Sequence, residues 1–103
     1  MSNIRYNNSM YEIKYTRYPK NRRFKVQLIK NPDIHTHVRS LKEAIDLANY
    51  AKYNHIPEGA KADYLYSLYR ISTSRRTRVA IELIIDKQLT QKGKVNDYDF
   101  SRT

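Results

Sequence analysis

Between residues 14 and 39 one kind of side chain recurs at alternate positions. Lys14, Thr16 and Tyr18, then Arg23, Lys25 and Gln27, then His35, His37 and Arg39 carry donors or acceptors, with Glu12 the one acid in phase with them. Arg17 and Arg22 flank the intervening turn. Lysine and arginine neutralise phosphate oxygens, and arginine does so through a planar fork. Arginine also bonds the edge of guanine bidentately, and glutamine that of adenine. The pattern therefore suits the gripping of a polynucleotide. A second group, Arg70, Arg75, Arg76 and Arg78 with Ser72, Thr73, Ser74 and Thr77, sets hydroxyls beside guanidiniums, which also suits phosphate. A plain solvated face accounts for polarity in both groups, but not for the sign of the charge.

Other chemistries find little to build on. His35 and His37 point the same way if their segment is extended, and His55 lies further on. Their basic surroundings repel a cation, and no metal site is expected. Pro32 and Asp33 are not followed by an acid-x-lysine triplet, because Asp86 precedes Lys87 directly, so the carboxylates of a magnesium-dependent nuclease are missing. With no cysteine and no glycine-rich phosphate loop, thiolate catalysis, disulfides and nucleotide hydrolysis drop out. A non-enzyme without cofactor is the expectation. Ten tyrosines and no tryptophan leave three readings: rings completing a small core with their hydroxyls in water, which is favoured, rings stacking on unpaired bases, or rings forming a protein interface.

Positioning these side chains requires extended segments. Residues 11 to 18 alternate, with Tyr11, Ile13 and Tyr15 inward. Residues 23 to 29 put Phe24, Val26 and Leu28 inward, and residues 34 to 39 do the same with Ile34, Thr36 and Val38. Turns around Pro19 and Pro32 join them into an antiparallel meander. The period then switches. Ser40 and Glu43 have capping-box spacing, and Leu41, Ala44, Ile45, Ala48 and Ala51 form an apolar stripe, which predicts a helix over about 41–54, stopped by Ile56 and Pro57. The fold expected is α+β: a three-stranded antiparallel sheet backed by one helix, followed by a C-terminal helical segment. Residues 1–10 read as a flexible arm, 11–56 as the β-β-β-α nucleic-acid-binding unit, 57–90 as a helical extension that packs on it or dimerises, and 91–103 as a mobile tail. Residues 77–89 fit a helix through Ala80, Ile81, Ile84, Ile85 and Leu89 or a strand through alternating Val79, Ile81, Leu83 and Ile85; their length and the trailing Asp-Lys-Gln-Leu favour helix. A helix-turn-helix is disfavoured, because no recognition-helix pattern is seen.

The junction at Val38, Ser40, Glu43 and Ala44 matches an apolar residue, a spacer, Ser or Thr, two spacers and Glu-Ala. In this, and in its order of three strands and a helix, the segment resembles the arm-type DNA-binding domains at the N-termini of phage tyrosine recombinases and the related Apetala type. The likeness covers about residues 11–54. It implies a sheet lying in the major groove with the helix packed behind. It nominates Lys14, Thr16, Tyr18, Arg23, Lys25 and Gln27 on the first two strands, with Arg39 on the third, as docking residues.

The composition agrees. Twenty lysines and arginines against ten acids give 103 residues a formal charge of +10, enough for one small domain with a strong attraction for polyanions. The excess is local. Residues 5–42 hold ten bases and two acids, 43–69 reverse the sign, and the remainder is again positive. No apolar run nears the length of a membrane span and the first residues lack a signal-peptide core, so the expectation is a soluble protein of the cell interior, with no membrane partner. Richness in lysine, asparagine, isoleucine and tyrosine suggests a phage or mobile element. The reading is a small basic regulatory or accessory protein that docks a sheet on duplex DNA, with a homodimer through the C-terminal helices open. The alternative is a phage-type inhibitor or adaptor seated on an acidic host protein such as a nuclease or polymerase complex. Single-stranded DNA or RNA would be a third partner.

Overall fold

In the computed structural model, residues 5–95 are described. They form an α+β unit: a four-stranded antiparallel sheet in the order β1 (Arg5–Asn7), β2 (Tyr11–Tyr15), β3 (Phe24–Leu28), β4 (His35–Val38), followed by α1 (Leu41–Lys52), α2 (Ala62–Ile71) and α3 (Arg75–Val95). The expected three strands are therefore β2, β3 and β4, and the sheet gains a fourth at its edge.

That strand corrects the reading of residues 1–10 as a loose arm. Arg5, Tyr6 and Asn7 pair with Lys14, Ile13 and Glu12. The cause is Asn8. Its Oδ1 accepts from the backbone N–H of Met10 at 2.8 Å and of Tyr11 at 2.7 Å, an asparagine turn that reverses the chain. Its Nδ2 donates to the Ala48 carbonyl at 3.0 Å and to Asn49 Oδ1 at 3.2 Å, tying the hairpin to α1. Residues 1–4 lie outside the described residues. At the other end the helix runs to Val95, through the start of the expected mobile tail, and 96–103 lie outside the description.

β2 and β3 stop short of their expected limits. Thr16 N–H donates to the Arg23 carbonyl and closes the hairpin just past Tyr15. The inward residues form the floor of the core: Tyr11, Ile13, Val26, Thr36 and Val38 are buried. α1 lies over them on Ala44, Leu47, Ala48 and Ala51, whose small side chains allow close approach. Ser40 Oγ accepts from Glu43 N–H at 3.1 Å, and Glu43 Oε1 reaches past the cap to the N–H of Arg39 at 3.3 Å. The helix ends before Ile56 and Pro57 do any work. Asn54 adopts φ 54° and its N–H bonds the Ala51 carbonyl at 3.4 Å, while His55 N–H reaches the Tyr50 carbonyl at 2.9 Å. This is a Schellman stop with asparagine in the left-handed position.

α2 packs on β3, β4 and α1 through Leu65, Leu68 and Ile71, and α3 on α2. These residues share one core with the sheet, extended by Ile81 and Ile85 of α3. The ambiguous segment is thus helical, and its exposures show why both periods fitted. Of the alternating set, Ile81 and Ile85 are buried, whereas Val79 is 44% and Leu83 64% exposed. The tie across the core is Tyr11, whose hydroxyl donates to the Ile71 carbonyl at 2.6 Å. That carbonyl ends α2 and has no intrahelical partner, so the tyrosine caps the helix from sixty residues away.

Candidate nucleic-acid interface

Strand register decides which cations share a surface. Arg5 of β1 stands opposite Lys14 of β2, Lys14 opposite Lys25 of β3, and Lys25 opposite His37 of β4. One basic row therefore crosses the whole sheet, a span of about 14 Å at the usual spacing between strands. The neighbouring row of the same parity is Asn7, Glu12, Gln27 and His35. The helices take up the opposite parity, and Lys14, Lys25, His35 and His37 keep partial access to solvent. Among the described residues the one ion pair is Lys42 with Asp46 on α1, so no carboxylate there is paired with the row.

Like charges stand face to face in this row, an arrangement that opposes sheet formation. It also affects His37. Partial burial, then the neighbouring His35 and Lys25, hold its pKa below the usual imidazole value. His35 and His37 meet edge-on, with ring centroids 5.4 Å apart.

The remaining nominated residues divide three ways. Arg17 and Tyr18 are exposed on the β2–β3 loop and Arg39 is exposed beyond β4, all open to a ligand. Three others are engaged within the fold. Gln27 is 5% exposed and its Nε2 donates to Glu12 Oε1 at 3.3 Å, so it is not presented to a base edge. Thr16 Oγ1 is held between the carbonyls of Tyr18 and Arg23, each at 3.0 Å. Arg23 donates from Nη1 to the Tyr15 hydroxyl at 3.0 Å with its Nε buried. Alternation placed these side chains on the right strands but could not show their local partners.

The second basic group belongs elsewhere. Arg75 and Arg76 are exposed in the first turn of α3, while Arg78 Nη1 donates to the Ser72 carbonyl at 3.0 Å and fastens the α2–α3 connection. Through Ile71 and Tyr11 that connection is anchored to the helix-covered side of the sheet, so these arginines do not extend the Lys14–Lys25 row. Sequence reasoning missed Arg5, because a three-residue strand is too short to show a period, and it grouped Arg70 with Arg75, Arg76 and Arg78, whereas Arg70 joins Arg22 and His37 around a cleft at the β4 edge.

Among the described residues no group of histidine, aspartate and glutamate side chains could hold a metal ion, and no helix is long and apolar enough to cross a membrane. No family model matches the chain, and neither the curated proteins nor the solved structures contain a match.

Proposed function

We propose that this is a small duplex-DNA-binding protein that lays the open face of its sheet against the phosphate backbone. The observation that carries the reading is the row that strand register sets across the sheet, Arg5, Lys14, Lys25 and His37, in which Lys14 and Lys25 meet no carboxylate in an ion pair among the described residues. Its span is comparable to the width of the major groove, about 12 Å, so the central lysines would face the groove while the outer strands approach its phosphate walls. The strand-strand-strand-helix order β2–β3–β4–α1, on which the resemblance to the arm-type and Apetala-type domains rests, supports this reading.

The side-chain geometry favours tolerance of sequence over strict reading. Gln27 and Arg23, the residues best suited to base edges, are engaged with Glu12 and Tyr15. What is left open to the ligand is cationic: Lys14, Arg17, Lys25 and Arg39, with Arg22 at the hairpin, and Arg5 stands next in register on the edge strand. About six phosphates neutralised in this way give a log–log salt slope near −5. A phage or mobile-element accessory role fits such a protein.

The test is a titration with duplex DNA, single-stranded DNA and RNA of matched length at two ionic strengths. Duplex preference with a steep salt dependence supports the reading. Absence of duplex binding, with capture of an acidic protein that survives nuclease treatment, would transfer the basic face to the inhibitor or adaptor role.

A further inference from the structure

Beside the basic row lies a cleft of about 470 Å³ between α2 and the β4 edge, lined also by Pro19 and Arg22 of the β2–β3 loop. Its volume falls within the range of small-molecule sites. Asp63, Tyr66 and Arg70 line it from α2 at i, i+3 and i+7, one face of that helix, while Leu65, Leu68 and Ile71 turn the other face into the core. Arg22 and His37 line it from the sheet side.

The lining combines three chemistries that one ligand class answers together. Arg22 and Arg70 are two guanidiniums on one cleft with no carboxylate partner among the described residues, although Asp63 lines the same space. An anion would relieve their mutual repulsion. Tyr66 is 49% exposed and forms no aromatic pair or side-chain hydrogen bond among the described residues. By contrast, Tyr11, Tyr15, Tyr50, Tyr64 and Tyr69 each have a partner. A bare ring beside cations is a stacking platform. The Asp63 carboxylate accepts one bond from its neighbouring Tyr64 N–H at 3.1 Å and keeps acceptor capacity for N–H donors. Phosphate, flat ring and amino edge are the three parts of a nucleotide. His37 belongs both to the cleft wall and to the basic row, so a strand lying on the sheet leads into the cleft.

We infer that this cleft receives one unpaired nucleotide of the bound DNA, stacked on Tyr66, with its phosphate between Arg22 and Arg70 and its Watson–Crick edge toward Asp63. Guanine suits the carboxylate best, because its ring N–H and amino group offer two adjacent donors, and that edge is accessible only when the base is unpaired. The inference rests on the sheet reading for the approach of the strand, but its residues are separate from Lys14 and Lys25.

Fluorescence anisotropy with a short blunt duplex, and with the same duplex carrying a single 3′ deoxyguanosine or thymidine overhang, tests it. The overhang with guanine should bind about tenfold more tightly than the blunt duplex, the order expected for one stacked and bonded base. Tyr66→Ala should abolish that gain, and Asp63→Asn should abolish the preference for guanine over thymine, both with blunt-duplex affinity unchanged. Equal affinity for blunt and overhanging duplexes, with binding still dependent on Lys14 and Lys25, would overturn the cleft proposal and leave the sheet reading intact. Binding of a guanine-bearing single strand through Tyr66 without any duplex affinity would uphold the cleft and sink the sheet reading.

Discussion

Replacing Lys14 and Lys25 together by alanine should move stability and binding in opposite directions. Lys25 faces Lys14 across β2–β3 and His37 across β3–β4. Like charges directly opposite in a sheet destabilise by about 0.2–1 kcal/mol, and these are partly buried. Removing them should raise stability by about 0.5 kcal/mol, or about 2–4 °C in Tm for a domain this small. On DNA the same change removes two phosphate contacts, each worth about 0.9 in the log–log salt slope, so the slope should shrink in magnitude by about 1.8. Between about 50 and 200 mM salt the variant should then lose about twelvefold less affinity than the parent does. Anisotropy titrations across that range and thermal unfolding followed by circular dichroism read the two quantities. Lys61→Ala, at the N-cap of α2 and outside the Lys14–Lys25 row, serves as the control and should leave the slope unchanged. An unchanged slope in the double variant, with a lowered Tm, would refute the reasoning, because the lysines would then be supporting the fold and not meeting phosphate.

Three further outcomes concern the scaffold. Tyr11→Phe should destabilise by about 1–3 kcal/mol, because it strands the buried Ile71 carbonyl. Burial pushes the Tyr11 hydroxyl up to about 12 from 10.0; an acid raised on folding binds its proton longer in the native state, so the parent should lose stability as pH climbs between these values, and the phenylalanine variant should lack that contribution in alkaline melts. Thr36→Val should stabilise by about 1 kcal/mol in denaturant titrations, because Thr36 Oγ1 is buried with no partner among the described residues and valine removes the hydroxyl at nearly equal volume. Asn54→Ala should cost about 1 kcal/mol and Asn54→Gly none, since only the former worsens the left-handed C′ position; equal melting of the two would remove the Schellman stop from the account.

What the sequence made legible follows from local periodicity. Alternation over 11–15, 24–28 and 35–38 assigned each residue to the correct face, and Ser40 with Glu43 marked the helix start. Features that depend on contacts remote in sequence were not legible. Asn8 is one asparagine among several until its Nδ2 is seen on Ala48, and only that contact turns a polar arm into an edge strand. Parity put Gln27 outward correctly, yet its burial against Glu12 arises from a neighbour fifteen residues away. The cleft likewise joins Arg22, His37 and Arg70, which no spacing rule connects. Asn54 carried a readable signal, an asparagine at the end of a helical stripe, but Pro57 offered a louder one.

Amide and side-chain chemical-shift mapping during titration with a short duplex tests the interface most directly. The largest changes are expected at Lys14, Arg17, Lys25 and His37, with little change at Val79, Leu83 and Glu58. Changes concentrated on Arg75, Arg76 and the exposed side of α3, with the sheet resonances unmoved, would contradict it.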